Sequence, residues 1–318
     1  MEPARRHIVL TLILAVLLCA VGGVARGDDG EPDQQKQEPP TTDAPPPKVP
    51  APPLFPRHRR GIYLNGQGLE AIDATPQSPP LDTDDPSVPD KGAYEINLSV
   101  DTDLARDLQR VDLLFVDANY GVLPKIAGHE VPAQLKLEFP VAAAREAGNP
   151  FQFGVGATTL GLKLNFFDNE QTGLSASVYP QLEFGTPGTR AVQKGLAEPG
   201  QTLILPLLVA KEFKYFTVVA NGGVEKPLHD SQRDTLGAFG LGIGLALTRK
   251  IAVMTEVRSE STFDLQRDRL VLMNVGVIHG VRRAILYAHL GRSLLSDDGL
   301  VHTYIGIGLK VIIKPPKT

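Results

Sequence analysis

From Gly92 to the C-terminus, apolar and polar positions alternate in short runs broken by turn signals, and no stretch carries the 3.6-residue period of an amphipathic helix. The pattern predicts about twelve β-strands. They begin with AYEINLSV from Ala93, VDLLFVDANY from Val111, AQLKLEF from Ala133, TTLGLKLNFF from Thr158, GLSASVYPQLEF from Gly173 and TLILPLLVAK from Thr202. The second half reads YFTVVANGG from Tyr215, LGAFGLGIGLALT from Leu236, IAVMTEVRSE from Ile251, RLVLMNVGVI from Arg269, AILYAHLG from Ala284 and VHTYIGIGLKVII from Val301. Most come close to the roughly nine to eleven residues that cross a bilayer when tilted. Pro180 and Pro206 fall inside two of these strands, and a bulge is expected at each because proline removes a ladder donor.

Successive side chains on a strand point to opposite faces, so each run divides into two sets. One set is large and apolar: Leu135, Leu137 and Phe139; Leu160, Leu162, Leu164 and Phe166; Ile305, Ile307 and Leu309. The other mixes charges of both signs with Gly, Ala and Ser. It supplies the residues expected to line a lumen: Lys136, Glu138, Lys163, Glu183, Gly240, Gly242, Gly244, Glu256, Arg258, Glu260, His289, His302, Tyr304 and Lys310. A soluble sandwich would turn the apolar set inward. Two features favour the opposite orientation. Small residues share the polar face, as a narrow lumen requires, and the apolar set recurs on nearly every strand with little taper. A lysine from the polar set facing lipid would cost roughly 2 to 4 kcal/mol near the midplane. On this reading Gly240, Gly242 and Gly244 face inward and leave a path open, while Leu241, Ile243 and Leu245 face acyl chains. From the fourth strand onward, short and long connections alternate, as in bacterial outer-membrane barrels with short periplasmic turns. The fold expected is an antiparallel up-and-down transmembrane β-barrel with both termini in the periplasm, over residues 91–318.

Upstream the texture differs. Residues 1–27 have a basic start, an apolar run and Ala25-Arg26-Gly27, which reads as a cleaved secretory signal peptide. Residues 28–90 hold more than half of the 27 prolines and read as a disordered periplasmic tether. Its basic run Arg57-His58-Arg59-Arg60 suggests either a contact with an anionic surface such as the cell wall or lipid headgroups, or a solvated charge run. The single cysteine, Cys19, lies in the leader, which leaves the mature chain without a disulfide or a thiol nucleophile. A net charge of −4 gives no reason to expect nucleic acid as a partner. Outer-membrane lipids and a small solute are the partners expected.

Several segments carry a resemblance: LDTDDPSVPDKGAYEINLSV from Leu81, TTLGLKLNFF, EFGTPGTRAVQKGLAEPGQ with Thr186-Pro187-Gly188, and GIGLALTRKIAVMTEV. Together they resemble the MetA-pathway of phenol degradation family, whose members are similar to outer-membrane barrels. The resemblance implies a barrel that passes small organic molecules, hydrophobic or aromatic ones among them, and it brings no catalytic residues; no cofactor is expected, and no metal, since no carboxylate completes an obvious set with His289 and His302. A non-conducting tethering barrel is the alternative. A lipid hydrolase built on His289 and His302 with nearby Ser293 and Asp297 is a further one, although no G-x-S-x-G is present. The Glu256, Arg258, Glu260 ladder reads either as a charged wall for solute passage or as a structural ion network.

Overall fold

The computed structural model describes residues 63–65 and 68–314, apart from Asp107, Ala147, Ser231 and Arg283. The expected leader and the tether as far as residue 62 lie outside the described residues. Twelve antiparallel strands form the body. They are β1 Tyr94–Leu104, β2 Leu108–Val122, β3 Ala133–Glu146, β4 Gln152–Val155 continued by Ala157–Asn169, β5 Leu174–Val178 continued by Gln181–Gly185, and β6 Gln201–Glu212. The remainder are β7 Phe216–Leu228, β8 Leu236–Ala246, β9 Ile251–Thr262, β10 Leu270–Val281, β11 Ala284–Ser296 and β12 Thr303–Ile313. Each strand pairs with the next. The barrel closes where β12 pairs with β1, from Thr303 opposite Leu104 to Ile313 opposite Tyr94, so no edge is left open.

Several boundaries differ from expectation. β3 runs seven residues beyond Phe139, and Gln152–Val155 pairs with that extension, because Ala142, Ala143 and Ala144 continue the ladder without an apolar alternation to announce it. Pro180 interrupts β5, but Pro206 causes no shift: the register of β6 against β7 is continuous through Pro206 opposite Gly223. The expected bulge at Pro206 is therefore absent. The Pro206 carbonyl accepts the Tyr179 N–H at 3.0 Å, so the missing N–H faces β5, where that strand is interrupted, and the ladder with β7 loses nothing. Bulges occur instead between Asp112 and Leu114 in β2 and at Phe166 in β4. Each turns two successive apolar residues outward, Leu113 with Leu114 and Phe166 with Phe167.

Burial is the inverse of a soluble protein. Phe239, Leu241, Ile243, Val275 and Leu290 are exposed, Phe239 by 54% and Leu290 by 58%. Lys163, Glu256 and Lys310 are buried at 2%, 1% and 4%. A belt of exposed apolar side chains over a charged interior is stable against hydrocarbon and not against water. Leu241→Arg is accordingly expected to lower folding stability in lipid vesicles by about 2 to 4 kcal/mol. In a water-facing strand the same change would be nearly neutral, so denaturant titration of the vesicle-inserted protein separates the two cases.

Connections 123–132, 170–173, 213–215, 247–250 and 282–283 lie at the barrel end that carries Tyr94 and Ile313. The opposite end carries 105–107, 147–151, 186–200, 229–235, 263–269 and 297–302. The longest, 186–200, includes a 3-10 turn at Val192–Lys194 and packs Ala191 and Leu196 against Ala142 and Ala144.

Candidate functional site

Residues 72–90 belong to the barrel interior, and this corrects the expectation that the whole of 28–90 is a tether. The segment enters at the end carrying Tyr94 and Ile313, where the Ile72 N–H donates to the Arg249 carbonyl at 3.0 Å. It climbs along β8 and β10 to Asp82 and Thr83 at mid-height, and crosses to β4 and β5. It returns at Asp90, whose carboxylate takes an ion pair from Lys314 at 2.9 Å. Five of the nineteen residues in this stretch are proline. Proline content argues against a packed core of its own, but each proline also removes a backbone donor that burial would otherwise leave unsatisfied. Such a segment is cheap to bury in a lumen whose side chains serve the remaining polar groups.

The lumen does so. The Glu256 carboxylate accepts the backbone N–H groups of Asp82 at 2.8 Å and Thr83 at 2.6 Å, and the Asn274 amide at 2.7 Å. Lys163 donates to the Asp84 carboxylate at 3.0 Å and to the Asp85 carbonyl at 2.8 Å, with the Tyr179 ring 4.8 Å away. Asn165 donates to the Pro86 carbonyl at 2.9 Å, which also accepts from Ser177. Lys310 donates to Gln77 and pairs with Glu95 at 2.8 Å. Apolar contact adds to this: Ile72, Ala74 and Leu81 join Ala246, Ala252, Met254, Ile278, Ile285 and Tyr287 in one buried cluster. Burying Ile72 and Leu81 contributes about 1.5 to 3 kcal/mol each.

The glycines of β8 have a different role from the one expected. Gly240, Gly242 and Gly244 do face inward, but the space they leave is filled. A Cβ on Gly240 would lie 2.8 Å from Thr83 Oγ1, one on Gly242 would lie 2.8 Å from Pro76 Cβ, and one on Gly244 would overlap the Ala74 carbonyl oxygen. The alternation of bulky and small residues in this strand therefore makes a seat for the re-entrant segment and not an open path.

The other expected residues are distributed around it. Lys136 pairs with Glu138 and lies 4.0 Å from Asp117. Arg258 pairs with Glu260, with Glu225 at 3.4 Å and with Asp82 at 3.8 Å. Glu183 finds no cation partner among the described residues. Sequence reasoning missed the contribution of the segment itself, above all Asp82, Thr83, Asp84 and Asp85. It also missed the buried amide and carboxylate network in which Asn97 and Asn119 donate to Asp117 at 2.9 and 3.0 Å and Gln134 donates to Asn119 at 2.6 Å.

His289 and His302 do not build a hydrolase. Nδ1 of His302 faces Asp103 at 2.9 Å and Nε2 faces Asp298 at 2.8 Å, so both ring nitrogens are occupied by carboxylates and neither is free to take a serine proton. Ser293 Oγ instead accepts the His302 backbone N–H. At His289 the carboxylate of Asp101 stands between the imidazole and the Ser99 hydroxyl, which is the wrong order for a proton relay. Tyr304 stacks near His302, with ring centroids 6.0 Å apart.

His302 instead fastens connection 297–302 to β1. Burial opposes its protonated form, but the hydrogen bonds that it donates to Asp298 and Asp103 outweigh this and raise its pKa above 6.5. The Ser296 hydroxyl and His302 hold the Asp298 carboxyl down at about 2. The His302 contribution is complete below 6.5 and lost as pH rises through the raised value; that of Asp298 is complete above 3.8 and lost as pH falls toward 2. Proteolysis of this connection is expected to be slowest between roughly pH 4 and 6.5. In His302→Gln the alkaline limb should vanish, and its persistence would show that another group titrates.

Three cavities of about 390, 440 and 320 Å³ flank the re-entrant segment. No family model and no curated protein matches the chain. Among solved structures, the chain is similar to the COG4313 outer membrane channel from Pseudomonas putida F1, with a TM-score of 0.55 and 13% identity over 71% of this chain and 97% of that one. It is also similar to the KdgM porin, with a TM-score of 0.43 and 8% identity over 68% and 98%, and to the NanC porin, with 0.45 and 6% over 68% and 98%. The first likeness is one of fold: a closed barrel of twelve antiparallel strands.

Proposed function

We propose that the protein is an outer-membrane channel or transporter for small solutes, closed in the state seen here by residues 72–90, and that it belongs with the MetA-pathway of phenol degradation barrels. The observation that carries this reading is the pair of opposed faces: an apolar outer belt suited to lipid, and an interior of buried charges with cavities on both flanks of the re-entrant segment. A barrel wanted only as a membrane anchor has no need of cavities next to its filling. In this reading the chain is exported, outer-membrane lipids surround the belt, and the N-terminal arm lies in the periplasm within reach of the cell wall. The test is planar-bilayer recording of purified full-length protein beside a variant with a disturbed glycine seat. Small or intermittent conductance in the wild type and larger conductance in the variant are expected. The filled lumen favours one rival, a non-conducting tethering barrel; silence from both proteins would overturn the channel reading, and loss of the phenotype on deletion of residues 28–80 from a barrel that still inserts would support the rival.

A further inference from the structure

The three cavities around residues 72–90 share one electrostatic character. Their linings together hold thirteen carboxylates against six lysines and arginines. The excess is seven, so seven of these carboxylates would have to take up a proton before the linings carried as many positive as negative side chains among their lysines, arginines and carboxylates. The cations are moreover committed. Lys136, Lys163, Lys310, Lys314, Arg110 and Arg258 each already pair with at least one carboxylate. No free cation lines these cavities among the described residues, whereas the Glu183 carboxyl has no ion-pair partner among them.

The surplus is also arranged. Glu138 of β3 lies opposite Thr159 of β4, which lies opposite Glu183 of β5, so the two carboxylates share one level of the barrel wall. Glu183 in turn lies opposite Thr202 of β6, whose partner on β7 is Pro227, two residues from Glu225. Glu138, Glu183 and Glu225 therefore form an arc on alternate strands, and all three line the same cavity beside the tip of the re-entrant segment. Two buried polar atoms border that cavity without a hydrogen-bond partner among the described residues: the hydroxyl Oγ1 of Thr83, a residue 1% exposed, and the acceptor Oδ1 of Asn221. An unpaired hydroxyl and an unpaired amide oxygen beside the unpaired Glu183 carboxyl match a ligand that brings N–H donors and positive charge, and rings of Asp or Glu are the usual means by which a pore favours cations.

We infer that this lumen selects small organic cations of the amine class, and that the Glu138, Glu183, Glu225 arc is the selecting element. The inference rests on the channel reading for passage but not for recognition, and the two are tested separately. Passage is read as the reversal potential of the full-length protein and of Gly244→Val under a potassium chloride gradient. A severalfold preference for potassium over chloride is expected, falling toward none in the Glu138→Gln, Glu183→Gln, Glu225→Gln triple variant. Recognition is read by calorimetry of the detergent-solubilised full chain with 1,4-diaminobutane and, as a length-matched anion, succinate. Binding of the diamine alone, lost in the triple variant, supports the inference even if no conductance is found, and then only the channel reading falls. Conductance with chloride preference or with no preference overturns it, as does succinate binding in place of the diamine. Should the triple variant fail to fold, Glu183→Gln alone, which breaks no ion pair, must still weaken both readouts.

Discussion

Gly244→Val protein is expected to conduct severalfold better than wild type and to expose the tip of the re-entrant segment. Even the first carbon of the new side chain would occupy the position of the Ala74 carbonyl oxygen. Either the segment or the wall must therefore move. The wall is held by β8 pairing with β7 from Leu245 opposite Phe216 to Leu236 opposite Glu225, and with β9 over eleven successive positions from Leu236 to Ala246. The segment at Ala74 belongs to no strand and so lacks a ladder of that length, and it is the part that yields. Because the sole cysteine lies at position 19, within the expected leader, a cysteine placed by Thr83→Cys is a clean reporter. Thr83 is 1% exposed, so a membrane-impermeant maleimide should label Thr83→Cys slowly in the wild-type background and quickly when Gly244→Val is added. Unchanged labelling with a barrel that still shows heat-modifiable mobility would mean that the segment does not depend on the glycine seat.

The second large effect is expected at Glu256. Its carboxylate serves two backbone N–H groups of the segment and the Asn274 amide at once. In Glu256→Ala three donors lose their acceptor in a site that is nearly closed to solvent. Charge-assisted hydrogen bonds of this kind and the stranding of their partners amount to about 3 to 5 kcal/mol against the seated state, toward the lower figure where water from the adjacent cavity reaches them. The barrel ladder does not use this carboxylate, so the loss should appear as accelerated hydrogen exchange at the Asp82 and Thr83 amides, with exchange in β8 and β9 unchanged. Equal acceleration in both would show that Glu256 supports the wall and not the segment. Glu256→Gln should fall between the two, since it keeps one oxygen acceptor but turns an N–H toward donors.

The two effects act on the same bond set from opposite sides. Gly244→Val applies steric pressure near the entry of the segment, whereas Glu256→Ala removes the anchor at its tip. The sites share the segment as a partner, so their free energies should not add.

The sequence by itself determined the twelve strands, their alternation, the inward face with Lys163, Glu256 and Lys310, and the outward face with Leu241 and Ile243. These are local properties: a period of two in side-chain direction, together with the high cost of turning a charge toward hydrocarbon, leaves one solution for each run. Strand ends were less legible where alanines extended β3, and the bulges at Leu113 and Phe166 were hidden because adding one residue leaves composition unchanged. What only the tertiary structure decided is the fate of residues 72–90. Proline, aspartate and serine in that proportion disfavour an independent core, and the same composition fits both a solvated tether and a segment buried against foreign side chains. The difference lies in partners more than a hundred and seventy positions away, Glu256 for Asp82 and Thr83, and Asn274 for Asp82. Burial becomes favourable only once a closed barrel has brought those acceptors and donors round it, and no local pattern along the chain encodes that enclosure.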